Sequence, residues 1–298
     1  MRKLWIAVGL LAAAMLATGL AARALAEPVA VDWQSQGECR RVSVYYDPHT
    51  PVTQAEMEGA AQAVAAACGG ENGSPLLAWG GSSQQVAEYR SRRAETTVYR
   101  VSQDFFRLYR FAPVSGSVYT FGGSSAVLNW YAAWALFGSD NCAGQFIAVD
   151  GQPYQILAVL DTPDDTISRA AYGDTPMIFL PIGEEDPVTF CEAVLPEPVD
   201  GFAMTLFQES MPQGHFVDVS GQFALGALLQ MLGEALDCHT QHVTFSLPPW
   251  AFVARQTGKY LLMLWGIFAA EGIACLAVLW AAVRKTVLFL ARRRKSGR

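Results

Sequence analysis

Residues 135–161, ALFGSDNCAGQFIAVDGQPYQILAVLD, decide the fold of the central part of this chain. Gly138 follows an apolar run and is suited to the left-handed position that ends a helix. Asp150 and Gly151 form a dipeptide favoured in two-residue hairpin turns, because both turn positions need a positive φ. The stretch therefore predicts the end of a helix followed by a two-stranded β-hairpin. Before it, Asn129 is placed to cap that helix.

The residues upstream predict a strand, a helix and a second strand. VSVYY, residues 42–46, alternates apolar and polar or smaller side chains, as a half-buried strand does. Thr53 and Glu56 form a capping box, which begins a helix. GGSS, residues 80–83, indicates a loop, and residues 94–101 predict the next strand. This order is typical of a βαβ-like layer.

The residues downstream repeat that layer. MIFLPI, residues 177–182, predicts a strand that closes the central part. Residues 188–195 then predict a strand, residues 201–211 a short helix and residues 215–220 another strand. An amphipathic helix and a last strand are predicted over residues 221–247. A β-rich piece thus interrupts two mixed halves.

Two apolar segments lie near the ends of the sequence. Residues 4–22 and residues 260–283 are each long enough to cross a bilayer core of about 30 Å. The second segment carries one charge, Glu271. The first is either an uncleaved anchor or a signal peptide cleaved after Ala26, because Ala24-Leu25-Ala26 fits a cleavage site.

Charge predicts how these segments are oriented in a cell membrane. Basic residues lie before the first segment and throughout residues 284–298, and such residues stay on the cytoplasmic side. Both termini are therefore cytoplasmic if the first helix is uncleaved, and the centre is extracytoplasmic. Residues 27–257 hold 26 acidic and 10 basic side chains, a net charge of −16, which argues against nucleic acid as a partner. The basic tail is either a stop signal or a segment that lies along membrane lipid.

The sequence predicts an α+β fold. A two-lobed extracytoplasmic domain, with a β-rich lobe inserted into a mixed βαβ-like lobe, is flanked by two transmembrane helices. The predicted parts are an N-terminal transmembrane helix or signal peptide (1–26), the first part of the mixed lobe (27–111), the inserted lobe (112–185), the second part of the mixed lobe (186–257), a transmembrane helix (258–283) and a basic cytoplasmic tail (284–298).

Several of these elements, in this order, resemble the MacB-type periplasmic core domain of FtsX-family ABC transporter permeases. The resemblance rests on VYRVSQDFFRLYRFAPVSGSVYT (98–120), AVLNWYAAWALFG (126–138), GQFIAVDGQPYQILAVL (144–160) and MIFLPI (177–182). It covers about residues 97–182, and the flanking parts match in layout alone. The family has a span, the outer domain and three more spans. Because 15 residues follow Val283, we expect the third and fourth spans to be missing.

The resemblance implies a non-catalytic membrane subunit of a MacB-like ABC transport system. Its outer domain would transmit conformational change or contact a substrate or partner, and ABC permease and ATPase subunits would be its partners. A second copy of the chain is a further option. The sequence contains no G-x-x-x-x-G-K-[ST] phosphate loop, so a partner would hydrolyse the ATP. The alternative is a stand-alone, membrane-anchored binding or sensing module at the cell surface.

Glu271 is the residue of the second span that we single out. A carboxylate there costs about 2.5–3.5 kcal/mol on insertion scales. Gly266, Ala270 and Ala274 fall at four-residue spacing and predict a smooth helix-packing face, with Glu271 paired to a polar group on another subunit. The alternative is a neutral, tolerated glutamate on a helix with ordinary alanines.

Five cysteines lie outside the spans, where disulfides persist. A strand followed by a returning helix brings Cys39 near Cys68, which predicts a disulfide or two buried thiols. Cys191 and Cys238 are a second candidate pair. Cys238 also lies beside His239 and His242, but this spacing matches no structural zinc pattern. We therefore predict no metal, no cofactor and no catalytic residues.

Overall fold

The computed structural model describes residues 2–33, 39–68, 74–109, 111–161, 169, 171–220 and 247–296. The chain divides into two compact units. Among the described residues, the membrane unit comprises 2–31 and 254–296, and the outer unit comprises those within 32–220 and 247–253. The predicted helix at 221–236 and strand at 242–247 lie almost entirely outside the described residues.

The described residues form six named helices and ten strands. The helices are α1 (Arg2–Trp33), α2 (Gln54–Cys68), α3 (Phe105–Leu108), α4 (Trp130–Phe137), α5 (Phe202–Ser210) and α6 (Pro249–Ser296). The strands are β1 (Cys39–Tyr45), β2 (Leu76–Tyr89), β3 (Arg92–Val101), β4 (Pro113–Gly116), β5 (Ser125–Asn129), β6 (Phe146–Val149), β7 (Gln152–Leu160), β8 (Met177–Pro181), β9 (Phe190–Pro196) and β10 (His215–Asp218).

The two predicted apolar helices are confirmed. Lys3–Leu25 of α1 and Pro249–Leu288 of α6 each contain an 18-residue stretch with a mean hydropathy of 2.1 and are long and apolar enough to cross a membrane. The predicted apolar segments fall within them. Both helices extend beyond those segments, α1 as far as Trp33 and α6 as far as Ser296.

The mixed part of the outer unit is built from two interlocked βαβ units. Strand β9 pairs antiparallel with β1 and with β2, so β1 and β2 run parallel with β9 between them. In the same way, β1 separates the parallel strands β9 and β10. Helices α2 and α5 make the two connections and cover one face of the order β10-β1-β9-β2. This is the split βαβ arrangement of ferredoxin-like folds.

The remaining strands extend the same sheet and close into a ring. From β2 the order continues through β3, β8, β5 and β7, and β6 pairs with both β7 and β2. The ring encloses an apolar core to which α4 adds Ala132, Ala133 and Leu136. A β-bulge opposite Ala126 and Val127 lets both Ile156 and Val159 of β7 face this core. The β-rich residues therefore lie between β2 and β9 in the chain, although the residue limits of the predicted lobes stay a prediction.

The prediction of a loop at GGSS is wrong. Residues 80–83 lie inside β2, where Gly80 pairs with Val101 and with Phe190. A Cβ atom on Gly80 would overlap the carbonyl oxygen of Arg100, and one on Gly81 would overlap the carbonyl oxygen of Pro187. The glycines therefore allow neighbouring backbone to approach the strand closely, which is a known use of glycine inside a strand.

The predicted helix caps and hairpin turn are confirmed. The Asn129 side chain accepts a hydrogen bond from the Ala132 N–H at 2.9 Å, and Gly138 ends α4 with φ 70°. Asp150 and Gly151 have φ 51° and 74° between β6 and β7. The Glu56 N–H donates to Thr53 Oγ1 at 3.3 Å, which begins α2 as a capping box does.

Asn129 caps α4 and also bonds backbone groups of Thr175 and Met177. We therefore expect replacing it to lower the stability of the protein. Its Oδ1 also accepts from the Met177 N–H and its Nδ2 donates to the Thr175 carbonyl, both at 2.9 Å. Because Asn129→Ala removes the cap and leaves buried backbone groups unpaired, we expect it to lower the free energy of unfolding by about 2–4 kcal/mol. Urea unfolding of the full chain, followed by tryptophan fluorescence, measures this.

The control for Asn129→Ala is Thr53→Ala, which removes an exposed cap with no such second role. We expect that control to cost about 1 kcal/mol. Equal losses for the two variants would contradict the role assigned to Asn129.

Candidate functional site

In the membrane unit, α1 and α6 pack as an antiparallel pair. Gly19 approaches Phe268, Gly272 approaches Met15, and Ala22 packs with Leu261. The buried and half-buried positions of each helix recur at three- or four-residue spacing, as in coiled-coil packing. They include Leu11, Ala14, Met15, Thr18, Gly19 and Ala22 of α1, and Leu261, Leu264, Phe268, Glu271, Gly272 and Cys275 of α6.

Glu271 lies in this contact and is bonded to the first helix of its own chain. The Thr18 hydroxyl donates to the Glu271 carboxylate, 3.0 Å from Oε2 and 3.2 Å from Oε1. Both residues are half-buried. Gly19, next to Thr18, has no side chain and permits the close approach of the helices. The structure thus provides a polar partner within the chain, where the sequence analysis expected one on another subunit.

The predicted small-residue stripe does not face α1. Gly266 and Ala270 are exposed and Ala274 is half-buried, and no atom lies within 4 Å of a Cβ built on Gly266. Since neighbouring residues of a helix differ by about 100° in direction, Ala270 points to a different side of the helix from Glu271, which contacts α1. The role of the stripe as a helix-packing face stays a prediction for a helix other than α1.

The cysteines carry free thiols in the described part of the chain. Cys39 and Cys68 are not joined; of the two alternatives predicted, a disulfide or two buried thiols, both residues are free thiols, with Cys68 buried and Cys39 half-buried. Val42 and Val44 pack in the same core as Cys68. Because side chains alternate along a strand, Cys39 lies on the opposite face of β1. A strand followed by a returning helix brings the two backbones near each other, but it does not place both side chains on the same face of the sheet.

Cys191 is also a free, buried thiol. Burial raises the pKa of the Cys191 thiol, which keeps it protonated and unreactive near neutral pH. Its predicted partner Cys238, with His239 and His242, lies outside the described residues, so that pairing stays a prediction. Within the part of the chain that is described, no group of three or more His, Cys, Asp or Glu residues is placed to hold a metal.

The outer unit contains a buried charge network that the sequence analysis missed. Arg41 of β1 donates through Nε to Glu192 Oε1, and the Tyr109 hydroxyl donates to Glu192 Oε2. Arg41 is 4% exposed and Glu192 is 1% exposed. The Arg41 guanidinium lies 4.9 Å from the centroid of the Tyr109 ring. The available signal was a single charged residue, Glu192, within the apolar strand β9, together with Arg40 and Arg41 at the start of β1.

Burial raises the pKa of Tyr109, and the Arg41 charge acts in the opposite direction. The phenol therefore stays protonated near neutral pH and is available to donate to Glu192. Each oxygen of the buried Glu192 carboxylate therefore accepts one hydrogen bond, one of them from a cation.

Aromatic rings surround this network, and one of them belongs to α6. Trp250, the second residue of α6, is 5% exposed. Its ring centroid lies 5.3 Å from those of Phe105 and Tyr109 and 5.2 Å from that of Tyr99. Phe105 and Tyr109 are themselves buried. The residues that start α6 are therefore part of the core of the outer unit.

The chain has a sheet domain between two helices that are long and apolar enough to cross a membrane. The second of these helices starts in the core of that domain. This is the arrangement of a membrane protein with a large domain between its hydrophobic segments. The family model described as the MacB-like periplasmic core domain matches residues 5–217, and the chain belongs to this family. No match was found among curated proteins.

Similar solved structures include the following two, each of which matches part of this chain. The periplasmic region of MacB from Actinobacillus actinomycetemcomitans is 9% identical, with a TM-score of 0.46, over 68% of this chain and 94% of that one. The extracellular domain of the noncanonic ABC-type transporter YknZ from Gram-positive bacteria is 13% identical, with a TM-score of 0.40, over 60% of this chain and 97% of that one.

The Thr18–Glu271 contact predicts the effect of removing one hydroxyl. Thr18→Val keeps the shape of the side chain and loses the donor, so we expect it to weaken the helix pair by about 0.6–1.7 kcal/mol. The measurement is the rate of thiol cross-linking between Met15→Cys and Gly272→Cys, introduced together with Cys275→Ser. The rate should fall with Thr18→Val.

Thr286→Val is the matched control, because the Thr286 hydroxyl bonds the Ala282 carbonyl of its own helix at 2.8 Å. It should leave the cross-linking rate unchanged. Efficient cross-linking in every variant would mean that the hydroxyl contributes nothing to the pair.

The buried network of Arg41, Tyr109 and Glu192 predicts that neutralising the carboxylate alone strongly lowers the free energy of unfolding. Glu192→Gln leaves the Arg41 charge buried without its counter-charge, and we expect a loss of about 3–5 kcal/mol in the free energy of unfolding. The double variant Arg41→Met with Glu192→Leu removes both charges and should lose much less. Urea unfolding of the three proteins measures this, and a double variant no more stable than Glu192→Gln would refute it.

Proposed function

We propose that this chain is a non-catalytic membrane subunit of a MacB-like ABC transport system, and that its outer domain transmits conformational change or contacts a substrate or partner. The observation that carries the proposal is the continuity of α6. Trp250, the second residue of this helix, lies in the aromatic core of the outer unit. The helix then continues without a break to Glu271. A continuous helix transmits a displacement because its backbone hydrogen bonds resist stretching.

The start and the middle of this helix each make a specific contact, at Trp250 and at Glu271. At its start, Trp250 packs against Tyr109, whose hydroxyl bonds the buried carboxylate of Glu192. In the membrane unit, Glu271 bonds Thr18, so α1 and α6 are expected to move together. Rearranging either contact has a definite cost, and such discrete contacts suit a switch between two states.

We further propose that ABC permease and ATPase subunits dock on the face of α6 that α1 leaves free. Gly266 and Ala270 are exposed there, and small residues let a partner helix approach closely. In this arrangement α1 is retained as an anchor, both termini are cytoplasmic and the outer unit lies outside. The basic residues of 284–298 then lie at the inner leaflet, where anionic lipid attracts them.

Co-purification tests this function. The tagged full chain, extracted in mild detergent, should recover an ATPase that contains a G-x-x-x-x-G-K-[ST] loop and a permease with several spans. Ala270→Leu should reduce that recovery severalfold, because the larger side chain blocks close packing. Ala269→Leu is the matched control, since Ala269 is the neighbouring exposed alanine on another face of the helix.

Two outcomes would contradict the proposal. Repeated recovery of the chain alone or with copies of itself would favour a stand-alone surface module. Equal recovery of the partners with both leucine variants would contradict docking on this face of α6. It would not contradict the proposal that the chain is a subunit of a transport system.

A further inference from the structure

The outer unit contains a groove of about 720 Å³ between its two parts. Helix α2 and strand β2 line it on the side of the split βαβ part, and the turn between β6 and β7 lines it on the side of the ring. Its volume lies within the range of small-molecule sites. The proposed function assigns no role to this groove.

The charged side chains of the groove already have partners within the protein. Arg100 is paired with Asp186 at 3.3 Å, and both side chains are less than a quarter exposed. Asp104 is paired with Arg107 at 2.5 Å. Glu58 accepts a hydrogen bond from the Gln54 amide at 2.8 Å. A charged ligand would have to compete with these contacts, so the lining favours an uncharged one.

The remaining lining groups are uncharged, polar and aromatic. Gln103 and Gln152 present exposed side-chain amides, and Trp79 and Tyr154 are half-buried aromatic residues. The position of Trp79 is fixed at two points. Its indole N–H donates to Gln54 Oε1 at 2.8 Å, and its backbone N–H donates to the Ser102 hydroxyl at 3.1 Å.

We infer that this groove binds a neutral oligosaccharide. A sugar ring has an apolar face that packs on an aromatic ring, and hydroxyl groups that bond with planar amides. An apolar ligand would cover the amides without pairing them, which is costly. A fixed aromatic side chain also limits the entropy lost when the ligand binds. This inference does not depend on the transport function.

Binding to the full chain in phospholipid nanodiscs tests the inference. Detergents with sugar headgroups must be avoided because they would compete for the groove. The probes are chitotetraose, cellotetraose and maltotetraose, measured by isothermal titration calorimetry. We expect saturable binding of at least one, and Trp79→Ala should weaken it about tenfold.

Two further variants distinguish weaker binding caused by a lost contact with the sugar from weaker binding caused by unfolding. Gln103→Ala and Gln152→Ala change exposed side chains at the groove, and each should weaken binding severalfold without affecting unfolding. Trp134→Ala is the matched tryptophan control, because Trp134 is 46% exposed on α4 and does not line the groove. It should bind as the parent does.

Three results would overturn the inference. One is the absence of binding for all three sugars, and another is binding that the variants at Trp79, Gln103 and Gln152 leave unchanged. The third is binding of an uncharged Gly-Ser peptide, in place of the sugars, that depends on the same three residues, since this would identify a peptide groove.

Discussion

The outer unit depends on one buried carboxylate, that of Glu192. An ionised group so far from water is tolerated only when a counter-charge and hydrogen-bond donors reach it, and Arg41 and Tyr109 do so. This requirement joins three segments that are distant in the chain: β1, β9 and the residues just after α3. Because Tyr109 also packs against Trp250, the start of α6 is tied to the same point.

The membrane unit meets a similar requirement with fewer groups. Glu271 is an acidic residue in an apolar helix, and the hydroxyl of Thr18 lies within hydrogen-bond distance of both its oxygens. In both units, a polar group in an apolar environment must have a hydrogen-bond partner, and this requirement fixes which residues lie next to it. Apolar contacts alone specify partners less strictly, because one methyl group packs about as well as another of similar size.

Local features of this fold were predictable from the sequence, and long-range pairings were not. The caps at Thr53 and Asn129 and the Asp150-Gly151 turn depend on backbone angles and neighbours a few residues away. Their residue types therefore identify them directly. The βαβ-like halves and the piece between them followed from the order of such elements.

The partners of charged and small residues depend instead on tertiary contacts. Arg41 and Glu192 are 151 positions apart, and Thr18 and Glu271 are 253 apart. Nothing in the local sequence selects these pairs. Gly80 resembles a loop residue by composition, yet the neighbouring strand requires its lack of a side chain.

Strand β4, which pairs with β7 at one end of the strand order, has a consequence for solubility. It is four residues long and starts with Pro113. Such a strand offers little template for pairing with a second molecule, so it should protect the chain from edge-to-edge aggregation.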